Sequence, residues 1–456
     1  MSKVKKIYVC QSCGWQGVKW QGRCTQCESW NTIVEEQVRD SKTEEAKRFS
    51  IGQEGAKPIS FAEMEVQAVN RKSSGLKEFD QVIGGGFVRG SFLLLGGDPG
   101  IGKSTLLLQV CGNLAENRQK VLYVSAEESA SQTALRAQRL KISSSDLLFY
   151  GESSLEDILE KARQIKPAVL VIDSIQTVYG NHHPSAPGTV SQVRECAGVL
   201  MSFAKTHQIT IIIVGHVTKD GSLAGPRVLE HLVDTVLSFE GDSNYQFRIL
   251  RSHKNRFGST RDIAVFEMSD QGLKEVSNPS QFFLGEQLEN RIGSAIFTAM
   301  EGSRSFLCEV QSLAVDSYLP MPRRTALGLD INRIHMVVAV LDKYLGTHLG
   351  KKDLFVNLVG GLKITESASD LAVAVSILSS LYKKPIDKQT SFFGELGLTG
   401  EIRACSFARE RILEAEKLGF KNIYLSKALE QALKDIKFKI KLNFVDHLHQ
   451  IKLFKN

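Results

Sequence analysis

The sequence has little of what marks membrane-spanning, secreted or disordered chains. None of its apolar runs reaches the roughly 18 residues that a membrane helix requires. No apolar segment precedes the first cysteines of the basic start MSKVKKIYVCQSCGW, so a secretory signal is not expected. Proline occurs 10 times and hydrophobic residues make up 42% of the 456 positions, which excludes collagen-like and wholly disordered chains. We therefore expect a cytoplasmic protein of about two to four globular domains, without membrane contact.

The chain also lacks a strong excess of one charge. It has 57 lysines and arginines against 50 aspartates and glutamates, a formal net charge of +7. So small an excess is equally compatible with an ordinary solvated surface, and it does not by itself indicate nucleic acid. Partners have to be inferred from local motifs.

Cysteine is scarce, but half of the 8 cysteines lie close together near the start. Cys10, Cys13, Cys24 and Cys27 follow the spacing C-x2-C-x10-C-x2-C, and all three tryptophans flank them. Two C-x2-C turns can close a tetrahedron of thiolates around Zn²⁺. Redox pairs or disulfides are the alternatives. We predict a structural four-cysteine zinc finger over residues 1–35, followed by a polar linker over 36–58.

A nucleotide site is predicted in the segment that follows. The buried strand FLLL at 92–95 runs into a glycine-rich G-x4-G-K-S loop and then into a helix, which is the context that the P-loop motif requires. We expect Lys103 to reach the β- and γ-phosphates of ATP and the Ser104 hydroxyl to bind Mg²⁺. The predicted phosphate-binding residues are Gly97, Asp98, Pro99, Gly100, Ile101, Gly102, Lys103, Ser104 and Thr105.

Three further apolar strands alternate with helical stretches, at 121–125, 168–173 and 209–216. Continuous apolar strands with intervening helices predict an α/β fold with a parallel central sheet. Asp173 ends one strand at the Walker B position, where it would hold Mg²⁺. Glu127 and Glu128 follow another strand. We expect one of them to orient the attacking water and favour Glu127, the other serving as a helix cap.

The segment 73–109, SSGLKEFDQVIGGGFVRGSFLLLGGDPGIGKSTLLLQ, resembles the core of RecA-type recombinases and replicative helicases. The run HKNRFG at 253–258 resembles the KNRFG motif of the bacterial RadA (Sms) family of DNA repair proteins. The order of a four-cysteine module, a RecA-like core over 59–278 and a C-terminal domain over 279–456 matches that family over essentially the whole chain.

The resemblance implies a function. It implies an ATP-dependent DNA motor, a DNA-stimulated ATPase and helicase, that promotes branch migration of recombination intermediates together with the RecA recombinase. Single-stranded and branched DNA would be its partners, and the chain would assemble into a ring, in this family a hexamer. The implied cofactors are ATP, Mg²⁺ and Zn²⁺.

Lys254 and Arg256 lie on a predicted connection between two strands, two residues apart, so their side chains should point the same way. In RecA-like rings, cations at this place reach the γ-phosphate across the subunit interface. The resemblance therefore implies arginine-finger roles in trans. Contact with a DNA phosphate is the alternative.

Two loops at the carboxyl ends of strands could face DNA, one over 178–190 and one over 216–227. Lys219 and Arg227 offer charge to the DNA backbone. An ordinary solvated loop is the alternative for both. His216, at the end of its predicted strand, is a candidate sensor of the γ-phosphate.

The C-terminal domain resembles the proteolytic domain of the Lon protease, another α/β fold. In the run ESASD at 366–370, Ala368 falls where that family has its serine, and Arg409 occupies the place of the lysine. Arginine cannot act as a general base, so we expect no peptidase activity. A nucleophile shifted to Ser367 or Ser369 is the alternative. Basic residues of this domain could offer DNA an outer surface, with Arg323, Arg324 and Arg333 as candidates.

Two further functions compete with the DNA motor. The Lon-like half suggests an ATP-dependent protease or protein-remodelling ring, which the missing serine–lysine pair disfavours. The other competing function is that of a clock-type phosphorylating RecA-like hexamer. A zinc module would have no obvious role in such a protein, which disfavours it. Stimulation of the ATPase by single-stranded DNA rather than by unfolded protein would distinguish the motor from the remodelling ring.

Overall fold

The computed structural model describes residues 4–11, 14–39, 70–180, 186–215, 227–241, 247–278, 280, 284, 291–302, 304–360 and 363–451. The chain divides into two compact units, Met1–Val276 and Ser277–Asn456. Among the described residues, no helix is long and apolar enough to cross a bilayer.

The first unit contains fourteen strands and six helices in the described residues. Its strands are β1 Val4–Cys10, β2 Gln16–Gly17, β3 Ile33–Arg39, β4 Arg71–Lys72, β5 Phe87–Val88, β6 Phe92–Gly97, β7 Val121–Ser125, β8 Leu147–Tyr150, β9 Val169–Asp173, β10 Thr210–Val214, β11 Thr235–Glu240, β12 Phe247–Asn255, β13 Ile263–Ser269 and β14 Gly272–Glu275. Its helices are α1 Lys77–Val82, α2 Lys103–Glu116, α3 Ala130–Arg139, α4 Leu155–Ile165, α5 Val190–His207 and α6 Arg227–Glu230.

A nine-stranded sheet forms the centre of this unit, in the order β14-β13-β12-β11-β6-β10-β9-β7-β8. The six strands from β11 to β8 are parallel. Every residue of β6, β7, β9 and β10 is buried, because helices cover both faces of the sheet. The predicted α/β class with a parallel central sheet is confirmed.

One edge of the sheet differs from the simple alternating pattern. After β11 the chain turns back through antiparallel β12, β13 and β14, which extend the sheet beyond the parallel strands. The prediction that Lys254 lies on a connection was wrong, because β12 continues to Asn255 and includes it. A register irregularity opposite Val236–Leu237 displaces the strand at His253, so simple two-residue alternation does not hold there.

A separate three-stranded antiparallel sheet, in the order β2-β1-β3, carries the cysteine segment. It packs a small core that includes Cys10, Cys24 and Ile33, with Tyr8 and Trp15 beside them. So few apolar residues cannot stabilise a fold of this size alone, which is the situation in which small modules rely on a metal.

The second unit is built on a seven-stranded mixed sheet. Its strands are β15 Ser294–Glu301, β16 Arg304–Asp316, β17 Arg324–Leu327, β18 Lys352–Leu358, β19 Thr390–Phe392, β20 Glu395–Leu396, β21 Ile402–Arg403, β22 Asn422–Ser426 and β23 Lys441–Val445. Its helices are α7 Ile331–Leu345, α8 Asp370–Tyr382, α9 Ala408–Lys417 and α10 Glu430–Leu433. The sheet order is β17-β18-β16-β15-β19-β22-β23, with β20 and β21 paired separately.

Helix α8 is the central helix of this unit and is buried over most of its length, from Asp370 to Ser379. Its sequence, DLAVAVSILSSLY, is apolar on nearly all sides, as expected for a helix enclosed by other elements. It packs against β15 and β16 and meets α7 on another side. A short 3₁₀ turn, Ser367–Ser369, leads into it.

Candidate nucleotide site, cysteine cluster and buried cations

The P-loop connects the end of β6 directly to the start of α2. Two of its glycines are required by geometry. A Cβ on Gly97 would lie 2.4 Å from the carbonyl oxygen of Phe239, and Gly102, the residue before the helix, has a φ of +113° that favours glycine. The loop therefore brings its backbone close to the sheet and points the start of α2 toward the space where phosphates would lie.

Lys103 is held inside this loop. Its Nζ donates hydrogen bonds to the carbonyl oxygens of Gly97 at 2.7 Å and Asp98 at 2.9 Å, and the residue is only 5% exposed. Burial lowers the pKa of the ammonium group, while the nearby carboxylate of Asp173 acts in the opposite direction. The predicted phosphate-contacting lysine is thus already oriented along the loop.

Asp173 ends β9, which lies between β10 and β7 in the sheet, and it has a partner that sequence reasoning missed. The phenol of Tyr123, on β7, donates a buried hydrogen bond of 2.6 Å to Oδ2 of Asp173. Burial first, and then the Asp173 carboxylate, raise the pKa of Tyr123 well above its usual value, so the phenol stays a donor. The register pairs Tyr123 with Val171, which places Tyr123 and Asp173 on one face of the sheet. That parallel register could have suggested the contact.

The two glutamates after β7 have different surroundings. Glu127 accepts a hydrogen bond from the hydroxyl of Ser174, the residue after Asp173. Glu128 forms a bidentate pair with Arg136 on α3, at 2.6 and 2.7 Å. The geometry brings Glu127 beside Asp173 and turns Glu128 toward a helix, which supports the preference for Glu127.

Substitution of the two glutamates should separate their roles. We expect Glu127→Gln to slow ATP hydrolysis about a hundredfold or more, because it removes the carboxylate that is expected to orient the attacking water, while nucleotide binding is retained. The matched Glu128→Gln should leave the hydrolysis rate near that of the wild type, since Glu128 is occupied by Arg136. Steady-state ATPase rates and fluorescent-nucleotide binding measure both. The reverse order of the two rates would assign the role to Glu128.

Lys254 and Arg256 lie far from the P-loop of their own chain. Arg256 contacts Oδ1 of the buried Asp234 at 3.3 Å, and Asp234 also accepts a hydrogen bond from the backbone N–H of Phe92, at the start of β6. Lys254 donates to the carbonyl oxygen of Glu230 at 2.7 Å, and burial and then Arg256 lower its pKa. Both cations therefore lie near the amino end of β6, whereas the P-loop follows its carboxyl end.

Three of the four predicted zinc ligands are among the described residues, and they lie together. The Sγ atoms of Cys10, Cys24 and Cys27 are all within 4.8 Å of one another, and those of Cys10 and Cys27 are 3.7 Å apart. That separation is far too long for a disulfide and fits two thiolates at about 2.3 Å from one tetrahedral Zn²⁺. Cys13 lies outside the described residues.

The predicted DNA-contacting and sensor residues fall at the limits of what the structure describes. Lys219 and His216 lie outside the described residues, and the strand that was predicted to run to 216 ends at Val214. Arg227 begins the short helix α6.

The arginine that is buried in the second unit is not the one that the sequence placed at the position of the Lon lysine. Arg409, in the first turn of α9, is exposed, whereas Arg411 is 2% exposed and bonds to Glu366 and to the carbonyl oxygen of Thr298 at 2.6 Å. Ala368 is buried, and the neighbouring Ser367 donates to Glu395 at 2.5 Å.

The surroundings of Arg333 differ from the basic outer surface that the sequence suggested for it. Its guanidinium forms a bidentate pair with the buried carboxylate of Asp370, at 2.9 and 2.5 Å. Burial raises the pKa of Asp370, and the hydrogen bonds from Arg333 act against that rise. Arg333 is therefore engaged with the start of α8. Arg323 remains exposed, and Arg324 is partly exposed.

These features define the class of protein. A P-loop between β6 and α2, a buried carboxylate at the end of the parallel strand β9 in the same sheet and a separate cysteine module define a P-loop ATPase that carries a zinc-ribbon-type module. Residues 58–222 match the family model of an AAA domain, residues 8–35 that of a rubredoxin metal binding domain and residues 331–428 that of subunit ChlI of Mg-chelatase.

Curated relatives then give the particular family. The chain is 48% identical to DNA repair protein RadA of Bacillus subtilis over 94% of both chains. It is 48% identical to DNA repair protein RadA of Listeria monocytogenes over 94% of this chain and 93% of the relative. It is 49% identical to DNA repair protein RadA of Streptococcus pyogenes serotype M1 over 95% of both. The chain belongs to the RadA family of DNA repair proteins.

Proposed function

We propose that this protein is an ATP-dependent DNA motor that acts in homologous recombination and DNA repair, where it drives branch migration of recombination intermediates together with the RecA recombinase. The observation that carries the proposal is the nucleotide site, in which Lys103 lies within the P-loop and Tyr123 fixes Asp173. Membership of the RadA family supports DNA as the substrate on which ATP hydrolysis acts. Single-stranded and branched DNA are its proposed partners.

Each residue of the nucleotide site has a proposed role. Residues 97–105 bind the phosphates of ATP through their backbone N–H groups, and Lys103 neutralises the β- and γ-phosphates. Ser104 and Asp173 hold Mg²⁺, which supplies positive charge to the phosphate oxygens when bound. Tyr123 keeps the Asp173 carboxylate in one orientation. Glu127 orients the attacking water.

We further propose the following organisation of the chain. Residues 1–35 form a zinc module with Cys10, Cys13, Cys24 and Cys27 as ligands. Residues 36–58 form a linker, 59–278 the ATPase and 279–456 a Lon-protease-like domain without peptidase activity. Lys219 and Arg227 contact DNA, and His216 senses the γ-phosphate.

The test of the motor is a strand-separation assay. Forked and D-loop substrates are incubated with the protein and ATP, with and without RecA, and the ATPase is measured with single-stranded DNA or an unfolded protein as the stimulant. We expect extension of the D-loop that needs ATP, and stimulation by DNA. Stimulation by unfolded protein alone would instead favour a protein-remodelling ring.

Lys254 and Arg256 are proposed to act on the nucleotide of a neighbouring subunit in a hexameric ring. Their position near the amino end of β6 leaves them far from the P-loop of their own chain. Arg256 also keeps 58% of its side chain exposed although it contacts Asp234, so its guanidinium is accessible to a neighbour. A ring supplies the second subunit that this role requires.

Mixing two inactive variants tests the role in trans. Arg256→Ala and Lys103→Ala should each abolish ATP hydrolysis, and a 1:1 mixture should regain up to about a quarter of the wild-type rate, because one interface in about four would hold both native residues. Arg251→Ala, on β12 five residues before Arg256, is the matched control and should stay active alone. A mixture as inactive as its components, although mixed rings form, would show that Arg256 acts elsewhere.

The residues around the turn at 367–369 in the second unit argue against a protease. Ala368 has no nucleophilic atom, Ser367 donates a hydrogen bond to Glu395, and Arg411, a buried cation beside this turn, is paired with Glu366. Casein added with ATP should therefore remain intact. Cleavage that Ser367→Ala abolishes would overturn the proposal of an inactive domain.

A further inference from the structure

A wide depression lies at the edge of the central sheet opposite the P-loop. Its lining includes Lys120, Ala168 and Ile209, which immediately precede β7, β9 and β10. The P-loop follows the other end of β6, so the length of the strands separates the depression from the nucleotide site. Its volume is about 890 Å³, and it is open to solvent.

The lining of this depression is strongly basic. The cations are Lys72, Arg89, Arg118, Lys120, Arg163 and Lys166. Among the lining residues that the structure describes there is no carboxylate, and none of the six cations forms an ion pair with another described residue. All but Lys72 are exposed. For comparison, the whole chain has a net charge of only +7, so this one depression gathers a charge close to the total. We refer to these six residues as the basic depression.

The charges of the basic depression act on one another. Burial and then Arg89 lower the pKa of Lys72, and burial, Arg163 and Lys166 lower the pKa of His207, which also lines the depression. Like charges held this close destabilise the folded chain unless a counter-charge is present. The arrangement therefore fits a site for an anion better than it fits a stabilising device.

Helix ends explain only part of the cluster. Lys166 follows α4 and Arg118 lies just beyond α2, where positive charge is favoured by the negative end of the helix dipole. Lys72 lies on β4, and Arg89 and Lys120 lie in the connections before strands. No helix end accounts for those three.

We propose that the basic depression binds the sugar–phosphate backbone of DNA, as a second contact apart from the loops around residues 178–190 and 216–227. This proposal rests on the proposed function as a DNA motor and adds a site to it. A single small phosphate would satisfy only a few of the six cations, whereas a nucleic-acid backbone offers a charge at every nucleotide. A neighbouring subunit of the proposed ring is the alternative occupant, and the experiment below distinguishes it from DNA.

The experiment compares two triple variants of the full chain. Arg89→Gln/Lys120→Gln/Arg163→Gln removes three charges of the basic depression, and Lys77→Gln/Arg139→Gln/Lys274→Gln removes three exposed charges of the same unit outside it. Binding of a fluorescent single-stranded oligonucleotide is measured as a function of salt. We expect the first variant to bind at least about tenfold more weakly and to lose about 2 from the slope of log K against log salt, while the control changes little.

The outcomes separate this proposal from the proposed function. If the wild type binds DNA and the two triple variants bind alike, the basic depression is not a DNA contact and the motor stands. If the wild type binds no DNA at all, the motor itself fails. Loss of ring assembly with unchanged DNA affinity of the subunits would assign the depression to a protein partner instead.

A measurement on the wild type covers the case in which the triple variant does not fold. Lysines are acetylated with and without the oligonucleotide, and the modified positions are read by mass spectrometry. We expect DNA to protect Lys120 and Lys166 at least about threefold more than Lys77 and Lys274. Equal protection of the two pairs overturns the proposal. Basal ATPase without DNA should be the same for wild type and both triple variants, since none of these residues lies in the nucleotide site.

Discussion

Lys103→Ala is expected to reduce ATP hydrolysis by at least about a hundredfold, the usual cost of removing one preorganised donor from a site where charge develops. The side chain is buried and already bonded to the carbonyl oxygens of Gly97 and Asp98. Its ammonium group therefore needs little rearrangement to meet phosphate oxygens. The rate of phosphate release at saturating ATP and Mg²⁺ measures the effect.

The control for this prediction is Lys77→Ala, which removes an exposed lysine from α1 in the same unit. It should hydrolyse ATP as fast as the wild type. Thermal unfolding of both variants checks that the fold is retained. A Lys103→Ala protein that folds normally and keeps more than about a tenth of the wild-type rate would contradict the assigned role.

The second large effect concerns stability. Arg411→Ala is expected to destabilise the second unit by about 3–5 kcal/mol, because it removes the buried guanidinium that pairs with Glu366 and donates to the carbonyl of Thr298, and leaves the Glu366 carboxylate with the backbone N–H of Met300. The aromatic rings of Phe297 and Phe393 also lose the guanidinium that lies 6.0 and 5.5 Å from their centroids. The melting temperature of that unit should fall by about 10 °C. Calorimetry is the right measurement, since all three tryptophans lie in the cysteine module.

Arg409→Ala provides the matched control, two residues away on the same helix. Its side chain is exposed, so the change in the free energy of unfolding should stay within about 0.5 kcal/mol. The double change Arg411→Leu/Glu366→Leu should recover part of the lost stability, because it removes both charges together. Equal melting temperatures for Arg409→Ala and Arg411→Ala would show that the buried ion pair contributes nothing.

The comparison of Arg409 with Arg411 also shows where sequence reasoning stops. The motif resemblance selected Arg409 by its place in the chain, but a helix of 3.6 residues per turn directs residues two apart to different faces. Only the packing of α9 against the sheet shows that Arg411 faces inward. The sequence suggested Arg333 as a surface charge because its partner Asp370 is 37 residues away in the chain, where no local pattern shows the contact.

Local sequence patterns likewise did not predict some contacts of the nucleotide site. The sequence predicted the P-loop and Asp173, because glycine spacing and the end of an apolar strand are local patterns. Tyr123 reaches Asp173, 50 residues away in the chain, through the register of their two strands. The position of Arg256 depends on an irregularity in β12 and on the buried Asp234, neither of which a local pattern reports.

The sequence by itself determined the features that depend on neighbours in the chain. These are the α/β class of the fold, the phosphate-binding loop and the cysteine spacing typical of zinc, since turns, strands and metal-binding pairs form from residues a few positions apart. Only the tertiary structure shows which cations form ion pairs with carboxylates and which line a solvent-exposed surface. The net charge of +7 hid the basic depression because its six residues come from different segments of the chain and meet only where the amino ends of the parallel strands lie side by side.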